Sequence, residues 1–368
     1  MAQPAFGPLD AALDFLTRHN ASGPSLKSGL SNHVPMALEA LESMGADIDL
    51  MAFAAAQAND IAALPQGTAE PEALASPAGL ADIDTAAAML GTLRDFSVWQ
   101  LGFATAFDHN GVEATVKAWI PRLAPGFFGA ANHGVIRAGH ALRSWRRSPS
   151  DARQTELAAG FAYWASAWQP LALDTQASSF GTGTEPLTAV LQGLPEVPAA
   201  KRKTDGSLVA AVAQLSEAQG LGDRLGTLAL PDPIEVTAAD ATRAFANGFR
   251  ATVVTPLDAI IFTHAITGIA AVLNLLPLTA TADQRPLLWH AIAASCALYC
   301  AYGRTGALTS EHELGPVVDS EELVRRAASN GDAHAIKLTE ACLEFYRRTD
   351  DPVFLATTTR GMTVLGSN

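Results

Sequence analysis

The spacing of apolar residues along the chain predicts helices throughout. Ala, Leu, Glu and Arg recur at helical intervals, whereas β-branched residues rarely alternate with polar ones, so strand patterns are scarce. Four predicted helix starts place a hydroxyl before an acidic or amide side chain: Ser148 with Asp151, Thr237 with Asp240, Thr255 with Asp258, and Thr281 with Gln284. The pattern therefore predicts an all-α fold.

Two segments are apolar nearly all the way round and should form the centre of the molecule. They are residues 256–276 and residues 282–302. The first is long enough to cross a membrane, but polar side chains, among them Asp258 and His264, interrupt it. We therefore predict a buried core helix rather than a membrane span.

The connections between the predicted helices are short. Loop signals fall at residues 65–79, 173–187 and 195–206, and none of them resembles a long linker between domains. We expect residues 1–368 to form a single large helical domain with one core.

Composition and charge narrow the class of partner. Hydrophobic residues make up 49% of the chain and charged residues 17%, which predicts a large buried volume. A net charge of -13 opposes binding to nucleic acid or to an anionic membrane, so a small-molecule substrate is expected. Cys296, Cys300 and Cys342 have no CxxC spacing, which predicts neither disulfides nor a thiolate metal site and favours a cytoplasmic location. The first residues also lack the pattern of an export signal.

Four of the nine histidines lie at predicted helix starts or inside a buried helix. They are His33, His133, His264 and His334. Lys337 follows His334 by three residues, so both side chains can face one cavity. Taken singly, each histidine is more often a hydrogen-bonded core residue than a ligand, and a lysine at this position ordinarily pairs with a carboxylate. The remaining histidines, His19, His109, His290 and His312, have no such context and are expected to be structural or exposed.

Five segments carry a resemblance to a known family. In order, they are Asn32-His33 with Ala37-Leu38-Glu39-Ala40-Leu41, His133-Gly134-Val135-Ile136-Arg137 with His140-Ala141, Glu156-Leu157-Ala158 with Ala162-Tyr163-Trp164-Ala165, Thr263-His264-Ala265-Ile266-Thr267, and Asp332-Ala333-His334-Ala335-Ile336-Lys337-Leu338. Together these segments resemble the ordered blocks of the questin oxidase-like family. The chain is shorter than the fungal members, and His140 stands where they tend to carry an aromatic residue.

The resemblance implies oxygen chemistry on aromatic polyketides, because members of that family open the ring of anthraquinones. Some members are nonheme iron enzymes of secondary metabolism whose metal is held by four histidines and a carboxylated lysine. The matching positions in this chain are His33, His133, His264, His334 and Lys337. The implied function is a mono- or dioxygenase with Fe²⁺ as cofactor, and its partners are an aromatic or phenolic small molecule and dioxygen.

The chemistry of these residue types agrees with such a site. Imidazole nitrogen suits Fe²⁺, Zn²⁺ and Ni²⁺, and a hard anionic oxygen ligand favours iron or manganese. A desolvated lysine beside a dication loses its proton, and its neutral amine can then add carbon dioxide to form a carbamate. Helix dipole effects favour that negative charge near Asp332, where a helix is predicted to start. Five protein donors would leave one octahedral position for dioxygen or water.

Four further residues are candidates for contacting the substrate. Arg137 and His140 follow His133 on one helical face and could orient phenolate or carbonyl oxygens, while Tyr163 and Trp164 could stack on aromatic rings. Each has an ordinary alternative role, because Arg137 could pair with a carboxylate and the two aromatic residues could belong to the core.

Two other functions fit the same sequence. One is a Baeyer-Villiger monooxygenase driven by NADPH without a metal, although no Gly-x-Gly-x-x-Gly phosphate loop is present. The other is a helical carrier protein that binds a small molecule without turnover. Dependence on NADPH and the metal content of the purified protein distinguish these functions from a metal-dependent oxygenase.

Overall fold

Helices make up most of the part of the chain that the structure describes. This computed structural model describes residues 7–64, 74, 80, 86–177, 179–310 and 313–366. The α-helices there are α1 (Pro8–Arg18), α2 (Val34–Met44), α3 (Leu50–Ala58), α4 (Phe96–Asn110), α5 (Val112–Leu123), α6 (His133–Arg147), α7 (Asp151–Ser166), α8 (Leu187–Gln192), α9 (Leu208–Val212), α10 (Leu221–Gly226), α11 (Ile234–Thr252), α12 (Pro256–Leu275), α13 (Thr281–Tyr302), α14 (Ser320–Asn330), α15 (Ala333–Thr349) and α16 (Val353–Leu365).

The all-α prediction is confirmed. Within the described ranges no strand forms, and extended pairing is limited to isolated bridges such as that between Leu26 and Ile61. The loops predicted at residues 173–187 and 195–206 are irregular up to the start of α8 and throughout the second segment, apart from residue 178, which is not described. The loop predicted at residues 65–79 lies outside the described residues, except for residue 74.

Helices α12 and α13 form the centre, as their apolar sequences predict. Most side chains of both helices are buried. In the described part of the chain, one segment, Pro256–Leu278, is long and apolar enough to cross a membrane, and 89% of its apolar window is buried inside the molecule. The prediction that it is an enclosed core helix is therefore confirmed.

Local capping explains where α12 begins. The Thr255 hydroxyl accepts from the backbone N–H of Asp258, the Asp258 carboxylate accepts from the backbone N–H of Thr255, and Pro256 occupies the first turn. This start agrees with the prediction. Helix α13 begins at Thr281, but its N-cap is Ala280 and the Thr281 hydroxyl does not cap it. Ser150 caps α7.

Two other predicted helix starts are also wrong in detail. The cap of α7 is Ser150 rather than Ser148, because Ser150 lies directly before Asp151 and its hydroxyl accepts from the backbone N–H of Arg153. Helix α11 begins at Ile234, three residues before the predicted Thr237, whose hydroxyl donates to the Pro231 carbonyl from inside the helix.

Four helices form a closed ring. Helix α2 packs against α6 and α15, and α12 packs against the same two helices. Helices α2 and α12 therefore lie on opposite sides of the ring, and α6 and α15 each contact both of them. Each of the four candidate histidines comes from a different helix of the ring or from its first cap position.

Glycine allows α6 and α7 to pack closely beside this ring. A Cβ at Gly134 would lie 2.6 Å from the Cα of Trp164, and one at Gly160 would lie 2.9 Å from the Cα of Ala138. Both separations are too short for a side chain, so the two backbones touch at these points. The close contact fixes the first turn of α6, where His133 lies.

Candidate metal centre

The four histidines selected from the sequence meet inside the helical ring. His33 is the N-terminal cap of α2, His133 is the first residue of α6, His264 lies in the middle of α12, and His334 lies in the first turn of α15. Lys337 lies one turn further along α15. Residues separated by some 300 positions in the chain are thereby brought into contact.

The ring nitrogens approach one another to within contact distance. His33 Nε2 lies 2.6 Å from His133 Nε2, and His133 Nε2 lies 3.2 Å from His264 Nε2. One nitrogen from each of His33, His133 and His334 forms a set within 4.8 Å of one another. His334 also places its ring centroid 4.6 Å from that of His33 and 5.6 Å from that of His264. Adjacent nitrogen ligands bound at about 2.1 Å to one octahedral metal would lie about 3.0 Å apart, so the separations within the set of three suit a shared cation. His264 lies outside that set and adjoins it through His133 Nε2.

Backbone carbonyls determine which ring nitrogen carries the proton in His133 and in His264. His133 Nδ1 lies 2.5 Å from the Ala130 carbonyl and His264 Nδ1 lies 2.7 Å from the Ile260 carbonyl. A carbonyl can only accept, so each Nδ1 is assigned the proton and each Nε2 presents a lone pair. Two lone pairs therefore face each other across 3.2 Å, which is repulsive unless a cation lies between them.

A left-handed turn places the Ala130 carbonyl under His133. Ala130, Ala131 and Asn132 have φ values of 49°, 56° and 67°, a conformation that residues with a Cβ adopt rarely. Asn132 is fully buried, and its side-chain amide donates to the His264 carbonyl at 3.2 Å. The turn thus ties the start of α6 to the middle of α12, and such strain is typical of functional sites.

Three helix N-termini point toward the histidine cluster. The partial positive charge of α2, α6 and α15 therefore converges there. This field opposes the imidazolium form of each ring and favours an anion bound nearby. Asp332 caps α15, accepting from the N–H groups of His334 and Ala335, and its carboxylate lies 3.7 Å from His334 Nδ1.

Lys337 is 1% exposed and makes no hydrogen bond or ion pair with any described residue. Burial lowers its pKa to about 7, and the charge of Asp332 offsets only part of that effect. A lysine in this environment exists partly as the neutral amine at neutral pH, and a neutral amine is the form that reacts with carbon dioxide.

The imidazoles are neutral at pH 7. Burial, with the positive charge of Lys337, lowers the pKa of His264 to about 4, and hydrogen bonds to the Ile260 and Ile261 backbone oppose this shift. Burial and the neighbouring Lys337 also lower the pKa values of His33, His133 and His334 well below the ordinary histidine value. Neutral imidazole is the form that binds a metal.

The Arg137 guanidinium is bound by other protein groups. It is fully buried, and its guanidinium donates to both oxygens of Glu156 at 2.6 and 2.7 Å. The remaining donors reach the Ser22 and Gly23 carbonyls at 2.8 and 3.3 Å. These hydrogen bonds join α6, α7 and the segment before α2, and the role of Arg137 in orienting a substrate stays a prediction.

His140 belongs to a buried ion-pair network rather than to the histidine cluster. Its Nδ1 lies 2.7 Å from Glu39, whose pKa is lowered to about 2 because Arg143 and His140 outweigh the effect of burial. Arg143 also pairs with Glu340. These residues lie on α2, α6 and α15, so the network fixes the register of three helices of the ring. His140 Nδ1 is held by Glu39, and the role of His140 in orienting a substrate stays a prediction.

Tyr163 and Trp164 are both buried. The Tyr163 hydroxyl lies 2.7 Å from the Ser31 hydroxyl, two residues before His33, and burial raises its pKa to about 12. Trp164 packs against Phe127 and Phe161, and its indole N–H has no hydrogen-bond partner among the described residues. Tyr163 is thus near the cluster, whereas the contacts of Trp164 are those of a core residue.

The remaining histidines lie apart from the cluster where they are described. His19 and His109 are exposed, and His290 packs against Phe180 and Trp289. His312 lies outside the described residues.

Several residues that support the cluster were not selected from the sequence. Asn132 could have been noticed only through its neighbour His133. Glu39 carried a clearer signal, because a carboxylate within an otherwise apolar helical run needs a buried partner. Arg143 and Glu340 resemble ordinary surface charges in the sequence.

Comparison with known proteins adds nothing to this geometry. No protein-family model matches the chain, and no curated protein matches it either.

Proposed function

We propose that the protein is a metal-dependent oxygenase whose metal, Fe²⁺ in our proposal, is held by His33, His133, His264, His334 and a carboxylated Lys337. The observation that carries the proposal is the approach of His133 Nε2 and His264 Nε2, both with their lone pairs directed inward, to 3.2 Å. The ordered sequence blocks that resemble the questin oxidase-like family support it independently. A bound Fe²⁺ would supply the activation of dioxygen.

Charge balance supports both the carbamate and an anionic substrate. The described residues bring no Asp, Glu or Cys into the set of nitrogens. The Asp332 carboxylate, 3.7 Å from His334 Nδ1, offsets only part of the charge that a dication would have in this buried space. The three converging helix N-termini add to the positive potential. A carbamate on Lys337 would remove one charge and a phenolate would remove the other. A hydroxylated aromatic compound is therefore the proposed substrate class.

The chain's own residues would then have distinct tasks. The Ala130 and Ile260 carbonyls hold the rings of His133 and His264 in the tautomer that presents Nε2. The burial of Lys337 keeps its amine available for reaction with carbon dioxide. The Tyr163 hydroxyl, with its pKa of about 12, stays protonated and can donate to a phenolate oxygen that replaces Ser31 as its partner.

The test combines elemental analysis with oxygen uptake. Protein purified without oxygen and supplied with Fe²⁺ should retain about one iron per chain, and it should consume dioxygen when a hydroxylated anthraquinone is added. The His264→Ala variant should lose both the metal and the oxygen uptake. The variant with both His19→Ala and His109→Ala is the matched control, since both residues are exposed histidines outside the cluster.

Two results would contradict the proposal. One is full iron content and full oxygen uptake in His264→Ala. The other is turnover that depends on NADPH and persists after the metal is removed, which would support the metal-free monooxygenase.

A further inference from the structure

Two adjoining cavities lie at the opposite end of the ring from the histidines. Helix α2 runs ten residues from His33 to Ser43, which is about 15 Å at 1.5 Å per residue. At that end an apolar trough of about 660 Å³ opens between α2, α14 and α15. Its apolar lining consists of Met44, Ile48, Val324, Ala328, Leu343 and Tyr346. Asp47, Glu321 and Arg325 also line it, so a carboxylate is favoured only at the end where the arginines lie.

A cavity lined by arginines adjoins the apolar trough. It has a volume of about 450 Å³, and Arg347 lines both. The arginine cluster consists of Arg143, Arg146, Arg147 and Arg347. Ser43 and one carboxylate, that of Glu344, complete the lining.

Three members of the arginine cluster are ion-paired with described carboxylates, and Arg147 pairs with Glu39 at 3.2 Å and with Glu42 at 3.4 Å. Arg143 is satisfied by Glu39 and Glu340, which lie behind it in the interior. Arg347 lies 3.6 Å from Glu344, a carboxylate that Arg348 contacts at 2.6 Å.

Arg146 forms no ion pair with any residue that the structure describes. The C-terminal dipoles of α6 and α15 favour cations in their last turns, but they do not supply a partner for this guanidinium. In a chain of net charge -13, this concentration of arginine is unusual.

We propose that the apolar trough and the arginine cluster together form a binding site for an amphipathic carboxylate, a small molecule with an apolar body and one anionic end. The apolar trough lies within the size range of small-molecule sites, and its half-buried side chains would be covered by the apolar body. The carboxylate would lie against Arg146 and Arg347, because guanidinium groups form paired hydrogen bonds with carboxylates.

Charge complementarity selects this occupant over a neutral apolar one or a simple anion. A neutral molecule would leave Arg146 unpaired, and a simple anion would leave the apolar trough in contact with water. The site is distinct from the candidate metal centre, and the proposal does not depend on the metal.

The test measures the binding of three probes to the purified full chain by titration calorimetry. Octanoate carries both features, 1-octanol carries only the apolar body, and acetate carries only the anionic end. Octanoate should bind at least about tenfold more tightly than either of the others. Added salt should weaken octanoate binding and leave 1-octanol binding unchanged.

Matched variants separate the site from general charge effects. Arg146→Gln with Arg347→Gln should weaken octanoate binding by about tenfold, because both side chains line the cavity. Arg18→Gln with Arg243→Gln removes the same charge from two exposed positions that line neither cavity and should leave binding unchanged.

A substitution in the trough completes the test. Val324→Asp should weaken octanoate binding as well, since it places a like charge in the trough. The proposal is overturned if octanoate binds no better than 1-octanol or acetate, or if the two double variants bind it equally. Unchanged octanoate binding in His264→Ala would confirm that the two sites are separate.

Discussion

Metal binding should raise the thermal stability of the protein by an amount that can be worked out in advance. The perturbation is the addition of Fe²⁺, without oxygen, to metal-free protein. The nitrogens that would bind it come from four helices that are far apart in the sequence, so the unfolded chain cannot present them together. The free energy of binding therefore adds to the free energy of unfolding.

The size of the effect depends on chain length. A ligand at one hundred times its dissociation constant adds about 2.7 kcal/mol to the free energy of unfolding. The entropy of unfolding is about 2.1 cal/mol/K per residue, so a chain of 368 residues has about 0.8 kcal/mol/K. The expected rise in Tm is thus about 3 to 4 °C, and about 5 °C at one thousand times the dissociation constant.

Differential scanning fluorimetry or calorimetry measures this shift, and two variants interpret it. His133→Ala removes the imidazole whose Nε2 contacts both His33 and His264, and its Tm should not respond to Fe²⁺. The variant with His19→Ala and His109→Ala should respond like the wild type, because both residues are exposed. An equal shift in His133→Ala, or no wild-type shift with Fe²⁺, Mn²⁺ or Zn²⁺, would refute the reasoning.

Three further predictions concern protonation, carbon dioxide and the buried ion pair. In metal-free protein, the free energy of unfolding should fall as the pH falls from 6.5 toward 4, because only the unfolded state takes up the proton of His264, whose folded pKa is about 4. This contributes roughly 3 kcal/mol, and urea unfolding should show a shallower pH dependence for His264→Leu. Removing bicarbonate should lower the metal content of the wild type but not that of Lys337→Met, as measured by elemental analysis after desalting. An unchanged metal content in the wild type would contradict a carbamate. Glu156→Gln should lower the free energy of unfolding, measured in urea, by about 3 kcal/mol or more, because it leaves the buried Arg137 guanidinium without its carboxylate. Unchanged metal content in this variant would show that the pair lies outside the metal centre.

Features that depend on neighbours in the chain were predictable. The capping box of α12 is encoded within four residues, and the apolar runs of α12 and α13 show directly that both helices are enclosed. His264 was selected for the same reason, because a polar group in such a helix loses its hydration and needs a partner.

Features that depend on packing between distant segments could not be predicted from the sequence. The sequence does not reveal that α2 and α12 both contact α6 and α15, and this ring is what brings the histidines together. The same limit explains the roles of Arg137 and His140. Both residues lie on the predicted face of α6. Glu156, which binds the Arg137 guanidinium, and Glu39, which binds His140 Nδ1, belong to other helices, and their proximity cannot be seen in the sequence.

The closed ring also determines when the centre can exist during synthesis. His33 emerges from the ribosome early and His334 emerges only after about three hundred further residues have been added. A nascent chain therefore cannot hold the complete ligand set until α15 has been made and has packed between α2 and α12. Iron capture would be one of the last events of maturation, and a chain whose last helices fail to dock would be left without the cation.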